Sequence, residues 1–204
     1  MDTKYLICIE GADGSGKTTL SKELKLYLNK VNPLDEWIYQ HEPNFDSGMA
    51  DQLNFVKGNP WKREFYFMLD RIRHQNILCH HNVCLDRYIL SGIAYSKVFS
   101  PEVTVMAESI YSLPEFKKPD VIFLLSATPE FIIEVNNKRK ETPDYNPKLT
   151  TEYIAKIQEA FISTKELIRE WEIGCHTITI DGSIQDTTSK MVNILKDYNI
   201  GGKK

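Results

Sequence analysis

The chain has 204 residues, 42 % of them hydrophobic and 26 % charged, with a formal net charge of −3. That balance fits one globular domain with a sizeable core and argues against a surface that coats nucleic acid, which is normally basic. No apolar run is long enough to cross a bilayer, and Met1-Asp2-Thr3-Lys4 carries no basic, apolar leader; the expected location is the cytoplasm, without a membrane partner.

In chain order, residues 5–9 (YLICI) form a short continuous apolar run, the pattern of a strand buried on both faces. A glycine-rich loop follows, and then Leu20, Leu24, Leu28 and Val31 recur at helical spacing. Residues 37–39 form a second strand. Asn59-Pro60 opens a long helix to about Cys79, and 83–85 is a third strand ending at Asp86-Arg87. Helices follow from about Ile89 and from Pro101 to about Tyr111. Residues 121–125 (VIFLL) are a fourth strand, and Pro129 opens a helix that dissolves into Asn136-Asn137-Lys138-Arg139-Lys140. The polar segment at about 137–147, with Pro143 and Pro147, has the composition of a mobile lid. A long helix at about 151–171, a fifth strand at 176–180 and a helix ending near Tyr198 complete the order, with 201–204 as a frayed tail.

Strands alternating with helices predict an α/β fold, a five-stranded parallel sheet with helices on both faces, in one domain over 1–200. Ligands of such sheets bind beyond the carboxyl ends of the strands. That edge should therefore carry the glycine loop, Glu42, Asp86-Arg87 and Asp181. The four cysteines, Cys8, Cys79, Cys84 and Cys175, suit reduced thiols, and Cys79-His80-His81-Asn82-Val83-Cys84 has no standard closed zinc spacing.

Gly11-Ala12-Asp13-Gly14-Ser15-Gly16-Lys17-Thr18 matches G-x-x-x-x-G-K-[ST] between a buried strand and an amphipathic helix. Glycines let the backbone turn its amides toward phosphate oxygens, and the helix adds its positive end. Lys17 supplies charge for the terminal phosphates, and the Thr18 hydroxyl suits Mg²⁺. These features predict the three-layer P-loop NTPase fold with ATP at residues 11–19, Thr19 included.

The segment Glu10 to Thr19, with Asp13 as its acid, resembles the first motif of the thymidylate kinase family. Asp86-Arg87-Tyr88 with Ser91 and Ala94-Tyr95 is similar to the family's second motif, and Phe67-Met68-Leu69-Asp70-Arg71 to its F-x-x-(D/N)-R helix. Pro119-Asp120-Val121 and Pro129-Glu130 match two weaker signposts. The resemblance covers nearly the whole chain. It implies a kinase that transfers the ATP γ-phosphate to dTMP, with Mg²⁺ as cofactor, in a homodimer.

It also implies roles. Arg87 would hold the acceptor phosphate, Phe67 would stack on the base with Arg71 at its edge, and Tyr95 would lie under the sugar. Ser91 belongs to the same acceptor site, and Asp13 would lie near the sugar 3′-hydroxyl and the acceptor phosphate. Glu42-Pro43 stands where many members have R-E-P-G-G, but here it is His41-Glu42-Pro43-Asn44-Phe45, without the arginine or the glycines. Arg139 takes the place of one lid arginine, while Val135 replaces another.

The residues read independently leave alternatives. Arg87 could capture a phosphate or form a structural salt bridge, and Asp86 could hold Mg²⁺-bound water or cap a strand end. On the long helix, Phe65, Met68, Leu69, Ile72 and Cys79 form an apolar stripe. Phe67 lies about 200° from Phe65 and shares its face with Arg63, Arg71 and His74, facing either a base or a second subunit. Lys138, Arg139 and Lys140 could serve a lid or only solvate a helix end, with Lys17, Asp13 and Arg139 as the catalytic set in the first case. The rival functions are a deoxynucleoside kinase and a non-catalytic nucleotide-binding protein.

Overall fold

A computed structural model describes residues 4–44, 56, 58–140 and 149–201. Among them lie β1 (Leu6–Gly11), α1 (Lys17–Val31), β2 (Trp37–His41), α2 (Pro60–His80), β3 (Asn82–Asp86) and α3 (Ile89–Phe99). These continue into α4 (Pro101–Tyr111), β4 (Val121–Ser126), α5 (Pro129–Asn137), α6 (Thr151–Arg169), β5 (Gly174–Thr179) and α7 (Ile184–Asp197). The sequence reading named each of these elements, with ends shifted by a residue or two.

The sheet is parallel, in the order β2-β3-β1-β4-β5. Successive side chains of a strand face opposite sides, so each central strand feeds two cores. Leu6, Cys8, Leu85 and Ile122 pack with Ile89 and Ile93 of α3 and Phe161 of α6. Ile7, Ile9, Cys84 and Phe123 pack on the other side with Leu24 and Leu28 of α1 and Leu195 of α7. Cys8 and Cys84 are free buried thiols, whereas Cys79 is exposed at the end of α2. No helix among the described residues is long and apolar enough to cross a membrane.

Helix α2 departs from one expectation. Asn59 caps it by accepting from the Lys62 amide at 3.0 Å, and Pro60 occupies the first turn, where a missing N–H costs nothing. Of the expected apolar stripe only Met68 is buried; Phe65 is 54 % exposed and Ile72 53 %. The helix instead turns Glu64 and Arg71 inward, where hydrogen bonds among buried polar groups offset their desolvation. The lid expected at 137–147 is described only to Lys140, as the end of α5 and the turn after it; 141–147 and the tail residues 202–204 lie outside the described residues.

Candidate functional site

β1 and β3 are hydrogen-bonded neighbours, and both end at a cleft of about 510 Å³. The phosphate loop runs from β1 into α1. Gly16 stands before the helix in a left-handed conformation, φ 88°, which a side chain would resist. Gly14, φ 82°, packs so close to α5 that an added Cβ would lie 3.2 Å from Ile132 Cγ2. Lys17 is buried, and its Nζ donates to the Ala12 carbonyl at 2.7 Å. Burial, with Arg87 nearby, pulls its pKa down to about 8. Asp13, Gly14, Gly16, Lys17 and Thr18 line the cleft. Ala12 and Ser15 are buried beneath it, and Thr19 is exposed.

Thr18 and Asp86 meet: the hydroxyl donates to Asp86 Oδ2 at 2.5 Å. Asp86 Oδ1 is buried without a hydrogen-bond partner. A hydroxyl beside an underused carboxylate fits a hard cation that keeps waters and phosphate oxygens as its other ligands. His41, at the end of β2, stands 3.8 Å from the same carboxylate.

Arg87 follows β3 at φ 70°, a conformation that costs a non-glycine residue roughly 1–2 kcal/mol. Its amide donates to Ile9 O at 3.1 Å, and its guanidinium pairs with Asp13 and donates to Ser91 Oγ at 3.3 Å. Tyr95 lies beneath, with the guanidinium 5.4 Å from its ring centre. Burial alone would raise the Asp13 carboxyl, but Arg87 and Lys17 hold it below the usual range. Glu10, wholly buried, fixes this corner: its carboxylate accepts from the amides of Tyr88 at 2.8 Å and Ser91 at 3.3 Å and from the Ser91 hydroxyl. It thereby serves the unpaired amides at the start of α3.

At the far end of the cleft, Phe67 and Arg71 of α2 face in, with the guanidinium 5.7 Å from the ring centre. Arg71 is buried; its Nε donates to Glu42 Oε2 at 2.7 Å and its Nη1 to Glu64 Oε1 at 3.2 Å. Burial pushes Glu42 up to about 8, against the pull of Arg71. Arg139 lines the cleft from beyond α5, whereas Lys138 pairs with Glu134 at 2.7 Å on the surface and Lys140 is exposed.

The cleft thus gathers the predicted Asp13, Lys17, Thr18, Glu42, Phe67, Arg71, Asp86, Arg87, Ser91, Tyr95 and Arg139. It does not gather Asp181, which is paired with Lys190 at 2.6 Å on an exposed surface. The loop after β5 turns it outward, so its place after a strand is not enough. Arg63, with its guanidinium 4.2 Å from the centre of the Phe99 ring, and Tyr153 of α6 also line the cleft. Helical phase put Arg63 on the Phe67 face; nothing local distinguishes Tyr153.

A phosphate loop sharing a cleft with a second cationic site defines a P-loop phosphotransferase acting on a small phosphorylated acceptor. The profile of the family described as Thymidylate kinase matches residues 9–190. Probable thymidylate kinases of Sulfolobus acidocaldarius and Methanocaldococcus jannaschii are 26 % and 29 % identical to it, covering 95 % and 97 % of this chain and 100 % and 98 % of their own. Probable thymidylate kinase 1 of Saccharolobus solfataricus is 32 % identical over 77 % of this chain and 81 % of its own. The fold matches the solved thymidylate kinase of Ehrlichia chaffeensis, with TM-score 0.70 at 18 % identity over 95 % of this chain and 100 % of that one. It also matches that of Candida albicans, with TM-score 0.73 at 20 % identity over 98 % and 94 %. The chain belongs to the thymidylate kinase family. It is a nucleoside monophosphate kinase with dTMP kinase function and ATP as donor.

Proposed function

We propose that this cleft performs the dTMP kinase reaction with the ATP phosphates on residues 11–19 and the acceptor between Arg87 and Arg71. The observation that carries the assignment is the shared cleft: Lys17 and Thr18 line one part, Arg87 and Asp13 the next, and Phe67 and Arg71 the end. A phosphate oxygen of dTMP attacks the γ-phosphorus, the bond to the β–γ bridging oxygen breaks, and ADP leaves as dTDP forms. Such a transfer needs charge stabilisation and exclusion of water more than a strong base. Lys17 and Arg139 neutralise charge on the moving group, and Arg87 holds the acceptor phosphate after exchanging Asp13 for it. Asp13 then turns to the sugar 3′-hydroxyl, with Tyr95 under the sugar and Phe67 against the base. Ser91 steadies the Arg87 guanidinium.

Thr18 and, through water, Asp86 would hold Mg²⁺, which supplies charge neutralisation of the β- and γ-phosphates when bound. The segment at about 137–147 acts as the lid of a single domain over 1–200. The exposed Phe65 and Ile72 of α2, facing away from the cleft, support a homodimer through this face. The net charge of −3 speaks against a nucleic-acid partner, and a cytoplasmic setting suits small nucleotide substrates.

The test is coupled ADP release with ATP and Mg²⁺ against thymidine and a panel of monophosphates. Stimulation by dTMP and not by thymidine is expected. Preference for thymidine would indicate a deoxynucleoside kinase, and no stimulation by any monophosphate would overturn the assignment.

A further inference from the structure

The base end of the cleft holds a cluster larger than Phe67 and Arg71. Arg71 is enclosed on several sides. Glu42 accepts from Nε at 2.7 Å, and Glu64 accepts from Nη1 at 3.2 Å. Tyr111, wholly buried at the end of α4, meets the same Nη1 through its hydroxyl, and that hydroxyl donates to Glu64 Oε1 at 2.5 Å. The Tyr111 ring lies 4.8 Å from the guanidinium carbon and packs edge-on against Phe116 at 5.3 Å. Tyr111 lies outside the cleft lining, whereas Glu64 and Arg71 are within it.

Gly92 makes the arrangement sterically possible. It lies in α3 directly over the cluster. A Cβ at this position would stand 2.8 Å from Glu64 Oε1 and 2.9 Å from Tyr111 Cε2, and would collide with Arg71 Nη1. The absent side chain is therefore matched to the Arg71–Glu64 pair, which crosses α3 at that point.

From this geometry we infer that Tyr111 and Glu64 are positioning residues for acceptor recognition: they lock Arg71 into one rotamer, and Gly92 keeps open the space that the locked rotamer fills. The inference rests on the reading of Arg71 as the residue at the edge of the acceptor base. A planar guanidinium recognises a base edge only when its plane is fixed, and a buried arginine left with one carboxylate can swing away. The Glu64–Tyr111 pair removes that freedom before the nucleotide arrives, which is pre-organisation of the site.

The test is steady-state kinetics with dTMP, dUMP and ATP for Tyr111→Phe, Glu64→Gln, Gly92→Ala and Arg71→Ala, each checked for its melting temperature. Loss of one hydrogen bond to a charged group corresponds to about tenfold. Tyr111→Phe and Gly92→Ala are expected to raise the dTMP KM by about that factor, while kcat falls less than about threefold and the ATP KM stays within twofold. Glu64→Gln keeps an acceptor oxygen and should lose less than either. The ratio of kcat/KM for dTMP to that for dUMP should shift in the first two variants, which a purely structural role would not produce. If Arg71→Ala left the dTMP KM unchanged, the underlying reading of Arg71 would fail. If Arg71→Ala raised it and Tyr111→Phe and Gly92→Ala, folded normally, did not, the positioning inference alone would be overturned. Equal loss on kcat and both KM values, with a lowered melting temperature, would also overturn it in favour of a packing role.

Discussion

The Thr18 hydroxyl, at the start of α1, donates to Asp86 at the end of β3 over 2.5 Å, while the other Asp86 oxygen is buried without a partner. Asp86→Asn keeps the shape but removes the charge to which the proposed function gives the orientation of metal-bound water. It should raise the Mg²⁺ concentration for half-maximal rate by about tenfold, in line with the effect of outer ligands on metal sites. The dTMP KM should change little. A magnesium titration of initial rates checks this; an unaltered midpoint would remove Asp86 from the metal site.

Arg87 is held over Tyr95 and paired with Asp13. Arg87→Ala should raise the dTMP KM more than about tenfold, and Arg87→Lys should recover little, because a point charge cannot make two parallel hydrogen bonds to a phosphate. Initial-rate measurements over a dTMP series decide it. Full recovery by lysine would mean that charge alone matters.

Of the three cations after α5, only Arg139 lines the cleft. Arg139→Ala should lower kcat by about 10²-fold, the scale for losing one group that stabilises transition-state charge. Lys138→Ala, which breaks a surface pair with Glu134, should leave kcat within twofold. Single-turnover phosphoryl transfer separates chemistry from release, and a near-normal rate for Arg139→Ala would exclude it from the transfer step.

Burial and Arg87 bring Lys17 to about 8, with Asp13, Asp86 and Glu10 opposing the fall. A lowered lysine pKa means that charge is present below that pH and lost above it. The kcat/KM for ATP should therefore decline as pH rises through about 8. Lys17→Arg, charged throughout, should flatten that limb even if its rate is lower. A flat wild-type profile to pH 10 would refute the low value.

Gly14→Ala places a methyl group 3.2 Å from Ile132 Cγ2 at φ 82°. Denaturant unfolding should show a loss of about 1–2 kcal/mol, the cost of a left-handed conformation for a side-chain-bearing residue.

The order of elements was legible because the central strands β1, β3 and β4 are short runs buried on both faces and each helix opens at a proline or after a turn. The phosphate loop and Arg87 were legible because local motifs carry their chemistry. Less visible was what depends on packing between distant elements. Phe65 and Ile72 have core composition but stand in solvent, since the opposite face of α2 is committed to the cleft. Glu64 and Tyr111 lie 47 positions apart, and no periodicity marks them as partners. Glu10, named in the sequence only as the first residue of the phosphate-loop motif, is the group holding the start of α3. Asp181 had the expected position after a strand but found Lys190 instead.

Because β1 and β3 are adjacent, the ends that carry the phosphate loop and Arg87 are separated by one strand spacing, about 4.8 Å. In the proposed function, donor and acceptor phosphates would meet where backbone hydrogen bonds in the middle of the sheet fix the spacing of these two strand ends. The proposed base end of the cleft, by contrast, is lined by helices α2 and α3 outside the sheet. On that reading the reaction and the choice of nucleotide rest on separate mechanical parts, so changes in helix side chains would retune which monophosphate is accepted without altering the gap that the phosphoryl group crosses.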